Sequence, residues 1–286
     1  MMNQMKTVLL LSLLSGLLIV IGGYVGGQSG IVMALGFALV MNIFSYWCSD
    51  KMVLKMYHAR EVDSSEAPAL HRMVADLASR AGVPMPRVAI VPTQAPNAFA
   101  TGRNPEHAVV AVTEGILNLL SPEELRGVLA HELAHVAHRD ILVQTVAGVI
   151  GSAITALASM LRYAAFFSGG RSSDERGNNP FAMLAMAMLA PIAAGLIQMA
   201  VSRSREYLAD EGGAKFSGQP LMLARALEKL QASSQRVPMK FGSPATEQMF
   251  IVTPLFGGGL TNLFSTHPSI EERVARLREM AESGRY

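Results

Sequence analysis

Two histidines set four residues apart, in His131-Glu132-Leu133-Ala134-His135, are the part of this sequence best equipped for chemistry. On a helix, residues at that spacing share a face, so both imidazoles can reach one zinc ion at about 2.0–2.1 Å. Glu132 projects to the side of the pair, placed to take a proton from an attacking water rather than to ligate. A hydrolytic zinc site uses three protein ligands and keeps one position open. Among the remaining His, Asp and Glu residues, Glu206 is the strongest candidate for the third ligand, because Asp210 follows it by one helical turn. Glu206 would ligate, while Asp210 would accept a hydrogen bond from a ligand imidazole. Gln198, Ser202, Glu206 and Asp210 continue a single helical stripe. An acidic pair of this kind is, by itself, an ordinary solvated helix face; the upstream histidines give it meaning.

The flanking sequence supplies the elements that must hold these groups. Ser121-Pro-Glu-Glu124 combines an N-cap, proline at the first helical position and glutamate at the third, directly upstream of the histidines. Before it, Leu70, Met73, Val74, Leu77, Ala78 and Ala81 give the apolar face of a helix, ended by Gly82 and Pro84. Short strands are expected over 87–91, 94–100 and 108–112, forming a small antiparallel sheet. Helical patterns return over 219–231 and from the capping box Ser269-Ile-Glu-Glu272, with Ile270, Val274, Leu277 and Met280 on the apolar face. Between these two, the Gly- and Ser-containing stretch 232–261 is long enough to act as a lid. His58, His71, His107 and His138 match no motif and read as surface or packing residues.

Half of the 286 residues are hydrophobic and only 16% are charged, against about 25% in soluble domains. The shortage of charge is local. Segments 7–23, 31–47, 141–161 and 181–201 carry none of Asp, Glu, Lys or Arg, and each is close to the roughly 20 residues that cross a bilayer. The first two are joined by a short uncharged turn, with no polar region or Ala-x-Ala site after the first, so a hairpin is expected rather than a cleaved signal peptide. Lys6, Lys51, Lys55 and Arg60 flank that hairpin and its turn has no Lys or Arg, which orients the bulk of the chain to the cytoplasm. An out-and-back second hairpin returns Glu206 to the side of the membrane that holds His131. If its helices run on unbroken, Glu206 lies about 7 Å beyond the fourth segment and His135 about 9 Å before the third. The site would then sit near the bilayer surface.

A net charge of +2 with no basic stripe argues against nucleic acid as a partner, and the lone Cys48 excludes an intramolecular disulfide or a thiolate zinc cluster. A metal transporter would place ionisable groups within the spans, and the four segments have none. A non-catalytic membrane adaptor with a structural zinc would normally show four ligands, where three are evident.

Taken with Ser202-Arg-x-Arg-Glu-Tyr-x-Ala-Asp210, the histidine motif resembles the HtpX family of bacterial heat-shock membrane metallopeptidases, which is related to the eukaryotic prenyl-protein endopeptidases. The resemblance covers essentially the whole chain. It implies a mostly α membrane protein with two transmembrane hairpins and a cytoplasmic gluzincin-like α+β protease domain. It also implies one Zn2+ ion, a multi-pass location in the inner membrane with the site facing the cytoplasm, and cleavage of damaged or misfolded membrane proteins under stress. Prenyl-protein processing is the alternative within the same class. On this reading residues 1–50 form the first hairpin, 51–140 the first part of the protease domain, 141–202 the second hairpin, and 203–286 the remainder. Pro96-Asn-Ala-Phe-Ala100 resembles the family's peptide-binding edge strand, giving Asn97 a substrate carbonyl to bind. Thr266-His-Pro-Ser269 resembles its His-Pro motif, which makes His267 a candidate for oxyanion stabilisation.

Overall fold

The computed structural model describes residues 2–151, 203–234, 236–237, 239, 246, 249–252, 268–284 and 286. Helix α1 (Met2–Met56) opens the chain and is two helical arms meeting at Gly27, whose φ of 56° and ψ of −139° interrupt the helix. Glycine accepts that left-handed φ because it has no Cβ to clash. Asn42 Nδ2 donates to Ser15 Oγ at 2.9 Å. These residues flank the kink at comparable distances along the chain, so the arms run antiparallel, side by side. The stretch Gly27–Met56 has a mean hydropathy of 1.9 and is long enough to cross a membrane; it is the one such helix among the described residues. Its large side chains face outward: Val32, Met33, Leu39 and Val40 are each more than 60% exposed. An apolar surface of this length has no stable place in water, and a bilayer supplies its solvent.

The end of α1 enters the remainder of the fold. Val53, Leu54 and Tyr57 are buried, and Asp50 pairs with Arg87 at 2.9 Å. Arg87 starts β2 (Arg87–Val91), which lies between β1 (Arg60–Val62) and β4 (Val109–Thr113), with β3 (Ala98–Thr101) outermost. The sheet is mixed, not antiparallel: β2 and β4 run parallel, while β1–β2 and β3–β4 are antiparallel. The expected antiparallel order assumed that consecutive strands pair. Instead β4 folds back from β3 and inserts between β3 and β2, which brings two strands of the same direction together.

The strand alternation sorts side chains onto two faces. Val88, Ala98, Ala100, Val110 and Val112 face a helical core, whereas Ala89, Val91, Phe99, Val109 and Ala111 face the end of α1. With both faces covered, β4 is buried at every residue, as its unbroken apolar run requires. The helical core is built from α2 (Pro68–Ala81), the short α3 (Glu114–Leu119), α4 (Pro122–Ala137) and three helices introduced below.

Helix α4 starts where the sequence signals. Ser121 Oγ accepts from Glu124 N at 3.3 Å, and Glu124 Oε2 accepts from Ser121 N at 2.9 Å. It does not run on into the third apolar segment as the unbroken-helix estimate assumed. Arg139 takes a φ of 59°, Asp140 N donates to His135 O at 3.0 Å, and a new helix, α5, is described over Ile141–Gly151. The remainder of the 141–202 hairpin lies outside the described residues.

After it come α6 (Arg203–Ser217), α7 (Pro220–Ser234) and α8 (Ile270–Ser283), the last capped by Ser269. Helices α4 and α6 approach closely because α6 presents glycines to α4. A Cβ on Gly212 would come within 2.6 Å of Ala134 Cβ, and one on Gly213 within 3.1 Å of the His131 Cα. We expect Gly212→Val to overpack this seam and destabilise the protein by about 1–3 kcal/mol. Denaturant unfolding in detergent checks this, and an unchanged midpoint would refute the close-packing argument.

Candidate metal centre

Helix α4 brings His131 and His135 to one face, as their spacing predicts, and their rings stand 4.8 Å apart at 88°. Across the glycine seam, α6 places Glu206 in its first turn and Asp210 one turn later. His131 Nε2 lies 3.8 Å from Glu206 Oε2, and His135 Nε2 lies 3.6 Å from Glu206 Oε1. One ligand atom from each of the three residues falls within 4.8 Å of the others. Tetrahedral ligands around zinc are separated by about 3.3 Å, given the usual bond lengths, so a small closure of this triangle would accommodate the ion.

The other ring nitrogens are already engaged. His131 Nδ1 is 2.9 Å from Asp210 Oδ1 and His135 Nδ1 is 3.2 Å from Asp140 Oδ2. A carboxylate at Nδ1 holds the proton there and leaves the Nε2 lone pair facing inward, where a metal would need it. All these groups are buried: His131, Glu132, His135, Asp140, Glu206 and Asp210 are each at most 4% exposed.

Burial opposes protonation of His135, yet the hydrogen bond to Asp140 and the charges of Glu206 and Glu132 raise it to about 9. His131 is shifted the other way, by burial and by the neighbouring Arg273, despite its bond to Asp210. Burial pushes the Glu132 carboxyl up to about 7, with Glu206 adding to the rise; His135, Arg273 and the Ala100 N–H hold it back. Burial also works against ionised Asp210, but Arg273 and His131 outweigh it and keep that carboxyl below its ordinary range. The two imidazoles shift in opposite directions, so the fit to a cation lies in the geometry of the three converging ligand atoms.

Residues 64–281 match the sequence profile of peptidase family M48. The chain belongs to that family. Curated relatives include the protease HtpX homologs of Ralstonia pickettii (strain 12J), 58% identical over all of this chain and 99% of that protein, and of Burkholderia cenocepacia (strain HI2424), 57% identical over the full length of both. Among solved structures, the crystal structure of S. mikatae Ste24p shares the fold with a TM-score of 0.52 at 19% identity, covering 96% of this chain and 65% of that one. The present chain therefore spans about two thirds of Ste24p, and the likeness is one of fold.

Within this M48 peptidase, the sequence-expected residues His131, Glu132, His135, Glu206 and Asp210 come together in one buried cluster. Asn97 is also buried, and its Nδ2 donates to the chain's own Val252 carbonyl at 2.7 Å. His267 and most of the expected lid, 232–261, lie outside the described residues. The other histidines behave as surface or packing groups; His71, for example, bonds the Val62 carbonyl at 2.8 Å.

Sequence reasoning missed two participants. Asp140 follows the helix end by three residues, and only the left-handed turn at Arg139 folds it back onto His135. Arg273 is fully buried and grips Asp210 through two bonds, Nε to Oδ2 at 2.8 Å and Nη2 to Oδ1 at 2.7 Å. Its signal was present: Arg273 follows Ile270 by three residues and precedes Val274, so it falls on the apolar face of its helix. Removing the Nδ1 partner of His135 by Asp140→Asn should weaken zinc binding about 10–100-fold with the fold intact. Competition with a chromogenic chelator measures this, and unaltered affinity would remove Asp140 from the site.

Proposed function

We propose that this chain is a membrane-embedded zinc endopeptidase acting on misfolded or damaged membrane proteins in stress-related quality control. The observation that carries the reading is the buried convergence of His131, His135 and Glu206 with Glu132 beside them. Family membership and full-length similarity to HtpX-type proteases support the reaction class. His131, His135 and Glu206 would hold the zinc ion, and the exposed apolar arm of α1 would hold the chain in lipid.

When bound, zinc supplies Lewis acidity to water and to the scissile carbonyl. The chain's own groups do the rest. Glu132 takes the proton of the attacking water and passes it to the departing amine; a carboxyl raised toward neutrality both accepts and releases a proton readily. The Ala100 N–H fixes the carboxylate against the outermost strand. Asp210 and Asp140 hold the imidazoles in orientation, so little reorganisation accompanies the reaction. His267 is proposed as the donor to the developing oxyanion, from its His-Pro sequence context.

For the membrane, the reading is multi-pass: an N-terminal hairpin over residues 1–50 and a second over 141–202 that separates the two parts of the protease domain, 51–140 and 203–286. The antiparallel arms around Gly27 support the first hairpin. Charge-free segments support the second. The Lys and Arg flanks support a site on the cytoplasmic side of the inner membrane. Tyr46 and Trp47, stacked edge to face near the end of the α1 span, fit the interfacial belt, with Arg103 over the Trp47 ring.

Glu132→Gln is expected to retain one zinc per chain while hydrolysis of an unfolded protein in proteoliposomes falls by at least about 100-fold. Glu206→Ala should lose the metal as well. Normal turnover by Glu132→Gln would overturn the mechanism.

A further inference from the structure

The outer edge of β3 is already taken. Ala98 O accepts from Ile251 N at 3.3 Å, Asn97 Nδ2 donates to Val252 O at 2.7 Å, and Val252 N reaches Asn97 Oδ1 at 3.5 Å. Residue 251 thus faces 98 and residue 252 faces 97, so the segment runs counter to β3 like an added strand. Its backbone is held from α8 too: Arg273 Nη1 donates to Ile251 O at 3.0 Å while the same guanidinium lies 3.6 Å from Glu206 Oε2. Two residues along the same edge, the Ala100 N–H is turned to the Glu132 carboxylate. A peptide added to this edge as a strand would pass beside Glu132, over the same donors and acceptors.

We propose that residues 250–252 are an internal occupant of the peptide-backbone subsite formed by Asn97, Ala98 and Arg273, which a substrate strand must displace. This rests on the peptidase reading above. The bonds to the segment are backbone-directed and would serve any extended peptide, so the site need not discriminate between its own chain and an unfolded one. Its side chains supply the anchor. Phe250 packs edge to face on Tyr57 at 5.0 Å and on Phe99 at 5.2 Å, and Tyr57 follows the last residue of α1. The occupant is therefore seated on the end of the membrane helix as well as on the active-site edge. While it is seated, the fraction of molecules able to take peptide is small, and apparent affinity falls by that fraction.

The test uses the full-length, zinc-loaded protein in detergent, with Glu132→Gln present to prevent cleavage. A fluorescein-labelled peptide spanning residues 248–254 is titrated by anisotropy, with and without Phe250→Ala. Loss of the aromatic anchor should tighten peptide binding at least about fivefold, and Ile251→Pro, which removes the N–H that reaches Ala98, should act in the same direction. Equal or weaker binding by variants that keep their zinc and far-ultraviolet spectrum would overturn the proposal. In the protein that retains Phe250 and Ile251, saturating peptide should speed amide exchange in residues 250–252 at least about tenfold; unchanged exchange would count against displacement even if Phe250→Ala fails to fold. Turnover by the unmodified chain is measured separately. Absence of turnover both there and in Phe250→Ala with Glu132 intact would sink the peptidase reading, whereas the binding and exchange results judge the occupant alone.

Discussion

The site depends on how closely α6 can lie against α4. Each helix carries half of the cluster, imidazoles on one and carboxylates on the other, and neither half has a reason to be buried alone. Gly212 and Gly213 let the backbones approach until Glu206 faces both Nε2 atoms and Asp210 reaches Nδ1 of His131. At that distance, opposite charges compensate one another's desolvation, which would otherwise be prohibitive for several ionisable groups in one core. The cluster is thus both a product of the seam and a constraint on it.

Arg273 extends the same logic to a third helix. Its guanidinium satisfies the Asp210 carboxylate with two parallel bonds, lies near Glu206, and donates from Nη1 to a backbone carbonyl. Paired in this way, a buried arginine fixes α8 against α6 with directional bonds that apolar packing does not offer. The carbonyl it holds belongs to a segment lying along β3, so the group that neutralises the cluster also reaches the outer edge of the sheet.

The membrane helix is mechanically part of this arrangement. The Asp50–Arg87 pair joins α1 to the first residue of β2, and Val53, Leu54 and Tyr57 pack on the face of the sheet opposite the catalytic helix. One face of the sheet rests on the end of α1, the other on α4, and its outer strand touches Glu132.

Much of this could be read from residue types alone. The ligand spacing in α4, its capping box, the acidic pair in α6 and the apolar spans follow from local rules of helical phase, capping and hydropathy, which act over a few residues. The strand directions did not follow, because pairing is decided by which strands meet: the insertion of β4 beside β2 is invisible in β2 or β4 alone. Asp140 and Arg273 were missed for the same reason. Each is one charged residue whose partner lies across a turn or on another helix, and only the folded chain brings Asp140 back to His135 and Arg273 to Asp210. Asn97 was expected to bind a substrate carbonyl; its bond to the chain's own Val252 is a contact across 155 positions that local pattern does not encode. The sequence by itself determined the ligand pattern of α4 and α6 and the apolar character of α1. Tertiary structure decided what orients the ligands and what rests against the catalytic edge, since those depend on distances between segments that the chain order leaves open.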